Sequence, residues 1–302
     1  MNIITVTPRG YCKGVINAIN LVKQTRKENP NEKITMLGMI VHNKYVVKAF
    51  EEIGIKCIDA KNKTRLELLD EVDSGIVIIT AHGASEEVTI KAKEKGLKVV
   101  DATCIDVIKT HKIVKEHIKH GDVIYIGKKT HPEAEAIVSI SNKVHLISNL
   151  DDVDNLPKDL FNPLITNQTT MSLYNIEILI NACLLKYKNA KVAEEICNAT
   201  RIRQEAVRNL KDVDTLLVVG DVNSNNSNQL RNIGLNSGIK NAYLIETVND
   251  LTKEMLENFK TVAITSGAST PTYLTSQVIE KLKEYIETKE LKKEIIDITK
   301  II

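Results

Sequence analysis

Apolar residues fall along this chain in two alternating rhythms: short unbroken runs, and longer stretches in which they return every three or four positions. The unbroken runs, among them ITML (34–37), GIVIIT (75–80), DVIYIG (122–127), PLITNQ (163–168), TLLVVG (215–220) and TVAIT (261–265), read as strands buried on both faces, as in a parallel sheet. Further strands are expected at 2–7, 55–59, 97–100, 144–148 and 242–246. The helical spacing predicts helices over 13–29, 43–53, 105–120, 172–187, 199–211, 226–236 and 272–288, with one more running to about residue 95 and another beginning at Pro132. Pro30, Gly54 and Gly121 supply stop signals. Residues 60–73 read as a mixed segment, and the Asp-rich, Pro-bounded stretch before PLITNQ as a link. The apolar tail KEIIDITKII reads as a packing arm. Strand and helix thus alternate throughout, and right-handed βα crossovers of this kind build small parallel sheets covered by helices, an α/β fold.

One chemical residue type punctuates the alternation at near-constant intervals. Cys12, Cys104 and Cys197 each follow a strand-like run and precede a helix-like one, 92 and 93 residues apart. Such spacing suggests one unit used three times, with boundaries near Thr103 and Ile196. The expected lobes are 13–103, 104–195, and 196–290 together with 1–12, followed by a C-terminal arm at 291–302. Three equivalent thiols could hold a metal or a cluster with one coordination position open.

Composition narrows the classes. At 302 residues the chain exceeds most single cores. Hydrophobic residues at 43% and charged ones at 26% are those of a globular protein, while an aromatic content of 4% without Trp argues against base-stacking surfaces. A net charge of +2 offers no electrostatic reason for nucleic-acid binding. The start MNIITVTPRG has no basic segment followed by a long apolar run, and no stretch of about 18 apolar residues occurs, so the expectation is a cytoplasmic protein with no membrane contact. In a reducing compartment five cysteines point to metal ligands or buried thiols rather than to disulfides. Cys57 and Cys183 fall outside the repeat and read as core residues. His111, His117, His120 and His145 read as surface or packing residues.

Loops at matching offsets from the three cysteines carry polar side chains. His42, His131 and Ser224 lie 30, 27 and 27 residues after their cysteine, and His82, Thr169 and Ser269 lie 70, 65 and 72 residues after. Ligands of parallel sheets bind beyond the carboxyl ends of the strands, where helix N-termini offer N–H groups to phosphate oxygens. Six such loops describe an anion pocket above a metal centre. Each residue also has a plainer reading. Ser85, Thr200 and Ser269 could be N-caps, the histidines satisfied loop residues, and Glu133 a carboxylate placed for the helix dipole. Capping alone does not require matched offsets.

Taken in order, PRGYCKGV, VHNKYVV, AHGAS, DATC, HPEAE, NQTTMS, CNATRIRQEAVR, NSNNSN and GAST resemble the LytB/IspH family of 4-hydroxy-3-methylbut-2-enyl diphosphate reductases, from about residue 3 to 275. The resemblance implies three similar small parallel-sheet lobes in a trefoil around a central 4Fe-4S cluster. Cys12, Cys104 and Cys197 would hold it and one iron would stay open. It implies diphosphate binding by His42, His82, His131, Ser224, Asn225, Asn226 and Ser269. Glu133 would be the proton donor with Thr169 beside it, and Gln168 would complete the substrate network. The implied partners are the allylic diphosphate and an electron donor such as ferredoxin or flavodoxin. Family members commonly read DATCP, GHPEVEG and NSSN. This chain has Ile105-Asp106 after Cys104, Thr130 and Ala136 in place of the glycines around HPE, and Asn225 between Ser224 and Asn226. Two other readings of the chain are a diverged paralogue with another phosphorylated substrate and a non-catalytic protein binding a metal or a phosphometabolite.

Overall fold

A computed structural model of the chain describes residues 2–60, 63–256 and 260–302. The alternation is realised as three four-stranded sheets, parallel at every pairing among the described residues. The chain opens on β1 (Asn2–Thr5) and α1 (Lys13–Glu28). Next come β2 (Ile34–Leu37), α2 (Lys44–Glu52), β3 (Ile55–Ile58), α3 (Arg65–Leu69), β4 (Ile76–Ile79), α4 (Glu86–Glu94) and β5 (Lys98–Asp101), whose strands pair in the order β3-β2-β4-β5. The second sheet follows α5 (Ile105–His117) and uses β6 (Val123–Ile126), α6 (Pro132–Val138), β7 (Val144–Ile147), α7 (Leu150–Asp154), β8 (Leu164–Asn167), α8 (Leu173–Lys186) and β9 (Lys191–Val192), in the order β7-β6-β8-β9. The third follows α9 (Asn198–Arg208) with β10 (Thr215–Val219), α10 (Asn225–Asn236), β11 (Asn241–Ile245), α11 (Lys253–Leu256), β12 (Thr261–Ser266) and α12 (Thr272–Thr288). Its order is β1-β12-β10-β11, so the first strand pairs with the last.

The reason for the unbroken apolar runs is visible in the burial. Central strands β2, β4, β6, β8 and β10 are buried at every residue, whereas the edges β1, β5 and β9 expose their ends or their whole length. A strand covered on both faces has no polar side to alternate with. Close approach at the entry to β4 demands a glycine: Gly75 has φ +94°, and a Cβ there would lie 2.2 Å from the Lys33 carbonyl oxygen.

Two compact units account for the chain, one comprising Met1–Ile16, Val41–Ile53 and Asn198–Ile302, the other Asn17–Ile40 and Gly54–Cys197. The first has its core on Val6, Val207, Leu216, Val218, Leu230 and Ala263. The second holds separate cores on its two sheets, one around Leu37, Leu69 and Val77 and another around Ile124, Ile165 and Ile176. Cys183 is fully buried in the latter. Cys57 is half-buried on β3, its thiol donating to the Gly38 carbonyl at 3.4 Å.

Four elements, α3, α7, α11 and β9, lie where the pattern predicted no helix or strand. Helices α3 and α7 have five residues each, barely more than one turn, too short to show a 3.6-residue period. Their caps are the legible signal: Thr64 and Glu67 form a reciprocal capping box, and Asn149 accepts from the Asp152 N–H. Strand β9 is two exposed residues.

The tail packs on the first unit. Asn249 exchanges two hydrogen bonds with the backbone of Glu294, at 2.9 and 2.8 Å. Lys281, 4% exposed, pairs with Glu284 at 2.7 Å and also with Glu294. Tyr11 donates to the Ile301 carbonyl at 2.8 Å, next to Cys12, and Ile301 is 2% exposed.

Candidate active site

Each of the three cysteines is held by the same backbone device. The N–H of Cys12 donates to the Ala268 carbonyl at 3.0 Å, that of Cys104 to Ala81 at 3.0 Å, and that of Cys197 to Thr169 at 3.2 Å. In every case the acceptor stands two residues past the end of a strand, β12, β4 and β8 respectively. It is therefore beside or identical with a residue singled out by offset: Ser269, His82 and Thr169. Each of these loops is thus bonded to a different cysteine from the one its offset was counted from: the loop of His82 to Cys104, Thr169 to Cys197 and the loop of Ser269 to Cys12. All three thiols are half-buried, none is in a disulfide, and each precedes a helix. Cys104 is itself the N-cap of α5. By donor chemistry, thiols of this kind suit a soft metal or an iron–sulfur group.

In the second unit the structure assembles an acid. Helix α6 begins at Pro132 with His131 as N-cap, whose Nδ1 accepts from the Glu133 N–H at 3.2 Å. Glu133 is 1% exposed. Its Oε1 accepts from the Thr169 N–H at 2.8 Å and from the Tyr125 hydroxyl at 3.4 Å, and its Oε2 accepts from Thr169 Oγ1 at 2.9 Å. Burial pushes this carboxyl up to about 7, opposed by the Thr169 and Tyr125 donors and assisted by the negative Asp106. Gln168 is buried beside it; its Oε1 accepts from the Lys128 N–H at 3.0 Å and its amide donates to Thr170 at 3.1 Å. The rings of His82 and His131 meet edge to face, 5.4 Å between centroids. The Asp106 carboxylate stands 3.9 Å from the Cys104 sulfur, so the substitution after DATC places a negative charge next to a thiol.

The first unit gathers a polar cluster. The Ser269 hydroxyl donates to the His42 carbonyl at 3.1 Å, and Asn43 caps α2 through the N–H groups of Tyr45 and Val46. Ser224 is the N-cap of α10; its hydroxyl accepts from the N–H of Ser227 at 3.3 Å and from the hydroxyl of Ser227 at 3.1 Å. Asn225 opens the helix, half-buried. Asn226 is 5% exposed, and neither end of its buried amide has a hydrogen-bond partner among the described residues. A buried amide without partners costs about 1–3 kcal/mol, which a ligand with donors and acceptors would relieve.

Sequence reasoning passed over Tyr125, Asp221 and Ser227. Tyr125 lies inside the unbroken run VIYI, where nothing distinguishes a phenol with a polar task from a packing ring. Asp221, 3% exposed, accepts from the Lys44 N–H at 3.0 Å and the Asn223 N–H at 2.8 Å, bracing the loops that carry His42 and Ser224. Ser227 sits in a slot between two glycines, where a Cβ on Gly220 or Gly267 would meet its hydroxyl at 2.2 or 2.1 Å. The signal for that slot is in the sequence, as glycines at the ends of TLLVVG and TVAITSG.

Fold and loops define a class: an α/β protein of three parallel sheets whose strand-end turns present cysteines, a buried carboxyl and polar side chains. The family model described as LytB protein matches residues 3–283. A Halalkalibacterium halodurans protein named 4-hydroxy-3-methylbut-2-enyl diphosphate reductase is 45% identical over 293 residues, covering 96% of this chain and 93% of that one. A Bacillus pumilus protein of the same name is 47% identical over 289 residues, covering 94% and 91%. Among solved structures, the E-1-hydroxy-2-methyl-but-2-enyl-4-diphosphate reductase from Plasmodium falciparum has a TM-score of 0.85 at 32% identity, over 92% of this chain and 87% of that one. A second, titled as the terminal enzyme of the non-mevalonate pathway, has a TM-score of 0.65 at 32% identity, over 94% and 100%. The chain belongs to the LytB family.

Proposed function

We propose that this chain is a 4-hydroxy-3-methylbut-2-enyl diphosphate reductase, removing the allylic hydroxyl as water with two electrons and two protons to give isopentenyl and dimethylallyl diphosphate. The curated relatives carry that name over more than nine-tenths of the chain. The observation that carries the chemistry is Glu133, a buried carboxyl with a proton affinity matched to neutral pH. General acids work best when their pKa lies near the operating pH, and hydroxide is a poor leaving group until protonated.

Cys12, Cys104 and Cys197 are assigned as the protein ligands of a 4Fe-4S cluster with one iron free of cysteine. When bound, that group supplies electrons and a Lewis-acid site for the substrate hydroxyl. Ferredoxin or flavodoxin is the class of donor that refills it. The residues of this chain do the rest. His42, His82, His131, Ser224, Asn225, Asn226 and Ser269 bind the diphosphate, with Asn226 supplying an amide that has no partner among the described residues. Gln168 and Thr169 hold the substrate network beside the acid. Thr169 grips both oxygens of Glu133, so the carboxyl is oriented before substrate arrives. Residues 13–103, 104–195 and 196–290 with 1–12 are taken as the three lobes.

Anaerobic purification tests this reading. A brown protein containing iron and inorganic sulfide, which consumes the allylic diphosphate with a low-potential donor, is the expected result. A protein that stays colourless after reconstitution, or binds zinc without sulfide, rejects it.

A further inference from the structure

Tyr125 stands in the middle of β6, in the run VIYI, and is fully buried. For packing alone a phenylalanine would serve, and the hydroxyl would cost free energy unless it found a partner. Its hydrogen-bond partner is Glu133 Oε1 at 3.4 Å. The strand makes room for the ring: Gly127 stands two residues on, and a Cβ there would meet the tyrosine ring at 2.8 and 3.3 Å. A buried phenol reaching a buried carboxyl, with a glycine clearing its path, is a built contact.

The two oxygens of Glu133 have unlike company. Oε1 accepts from the Thr169 N–H, which can only donate, and from Tyr125. Oε2 faces the Thr169 hydroxyl, which can turn from donor to acceptor. We propose that Tyr125 is a positioning residue for the acid: with the Thr169 N–H it reserves Oε1 as the acceptor oxygen and directs the exchangeable proton to Oε2. In the protonated state the Oε2–H donates outward or to Thr169 Oγ1. When the proton passes to the departing oxygen, which leaves as water, all three donors meet the carboxylate that remains. The carboxylate then recovers a proton from solvent. Because Tyr125 donates to the charged form, it also holds the proton affinity of Glu133 below what burial alone would set. The charged and titratable groups around this carboxyl are His131 at the N-cap of its own helix, Asp106 from α5 and Tyr125 from β6; Thr169 adds neutral donors from the turn after β8. The inference rests on the reading of Glu133 as the acid.

The test uses the metal-loaded full chain. Infrared difference spectra follow the carboxylic C=O stretch of Glu133 against pH, with Glu133→Gln identifying the band, alongside the pH profile of kcat. In Tyr125→Phe the titration midpoint moves up by about half a unit to one unit, a three- to tenfold gain in proton affinity. The alkaline limb of kcat moves by the same amount and KM stays constant. Site-specific 3,5-difluorotyrosine at position 125, a stronger donor of the same shape, moves the midpoint down and covers the case in which the phenylalanine variant fails to fold. Midpoints that do not move, or that move in the same direction in both proteins, overturn the proposal. A midpoint that moves while the kcat limb stays leaves the Tyr125–Glu133 coupling standing and removes Glu133 from the role of acid.

Discussion

At the scale of single residues, Glu133 carries the most consequence, because one environment sets both its chemistry and its effect on stability. Glu133→Gln keeps the shape and the Thr169 contacts but cannot deliver a proton, so single-turnover rates are expected to fall by about 10² or more with the iron content unchanged. The same variant reports on burial. Below about 4.5 the carboxyl is neutral in folded and unfolded chains alike. Between there and about 7 the unfolded chain ionises while the folded one does not, so folding stability is lost as pH rises through that window. Denaturation from pH 4.5 to 8 should show the native protein losing about 3 kcal/mol relative to the glutamine variant, which lacks this titration. The cysteines divide in the same way. Serine at Cys57 or Cys183 should leave iron and sulfide counts as they are, since Cys183 is enclosed in an apolar core and Cys57 bonds the Gly38 carbonyl. Loss of the cluster in either variant contradicts the ligand assignment.

Between elements, the decisive feature is the turn two residues past β4, β8 and β12, whose carbonyl receives a cysteine N–H. It ties each thiol loop to a neighbouring strand end within one sheet. Packing at these turns is tight enough to be probed. Gly267→Ala brings a Cβ to 2.1 Å from the Ser227 hydroxyl, which must leave its place beside Ser224. Urea unfolding is expected to show a loss of about 1–3 kcal/mol, with a rise in KM for the diphosphate. Adding Ser227→Ala removes the clashing atom and leaves a Cβ contact of 3.3 Å, so most of the stability should return while KM stays high. A double variant no more stable than the single one would place the strain elsewhere.

For the molecule as a whole, the tail is the element whose removal is informative. Deleting residues 293–302 takes away Glu294, one of two carboxylates on the buried Lys281 amine, both Asn249 bonds and the buried Ile301. Loss of half of the pairing of Lys281, of the Asn249 bonds and of apolar burial together costs several kcal/mol, and calorimetry should show Tm lower by roughly 5 °C or more. Lys281→Met in the shortened chain removes a charge left with Glu284 alone of its two carboxylates and is expected to recover part of the difference. An unchanged Tm would mean that the arm is only laid on the surface.

How much of this was legible before the fold was known follows from the range of each interaction. Strand and helix positions, the α/β class and the three-cysteine repeat are local or periodic, and a chain buried in parallel sheets writes them as unbroken apolar runs. The loops with His82, Thr169 and Ser269 were legible because they recur at similar distances after the three cysteines. Helices α3 and α7 escaped the pattern because one turn has no period. Tyr125 escaped because a buried strand gives a phenol and a phenyl the same signature. Partition into two compact units and the lifted proton affinity of Glu133 were settled by tertiary structure alone. Each depends on atoms distant in sequence, and desolvation of a carboxyl is set by everything that surrounds it rather than by its neighbours along the chain.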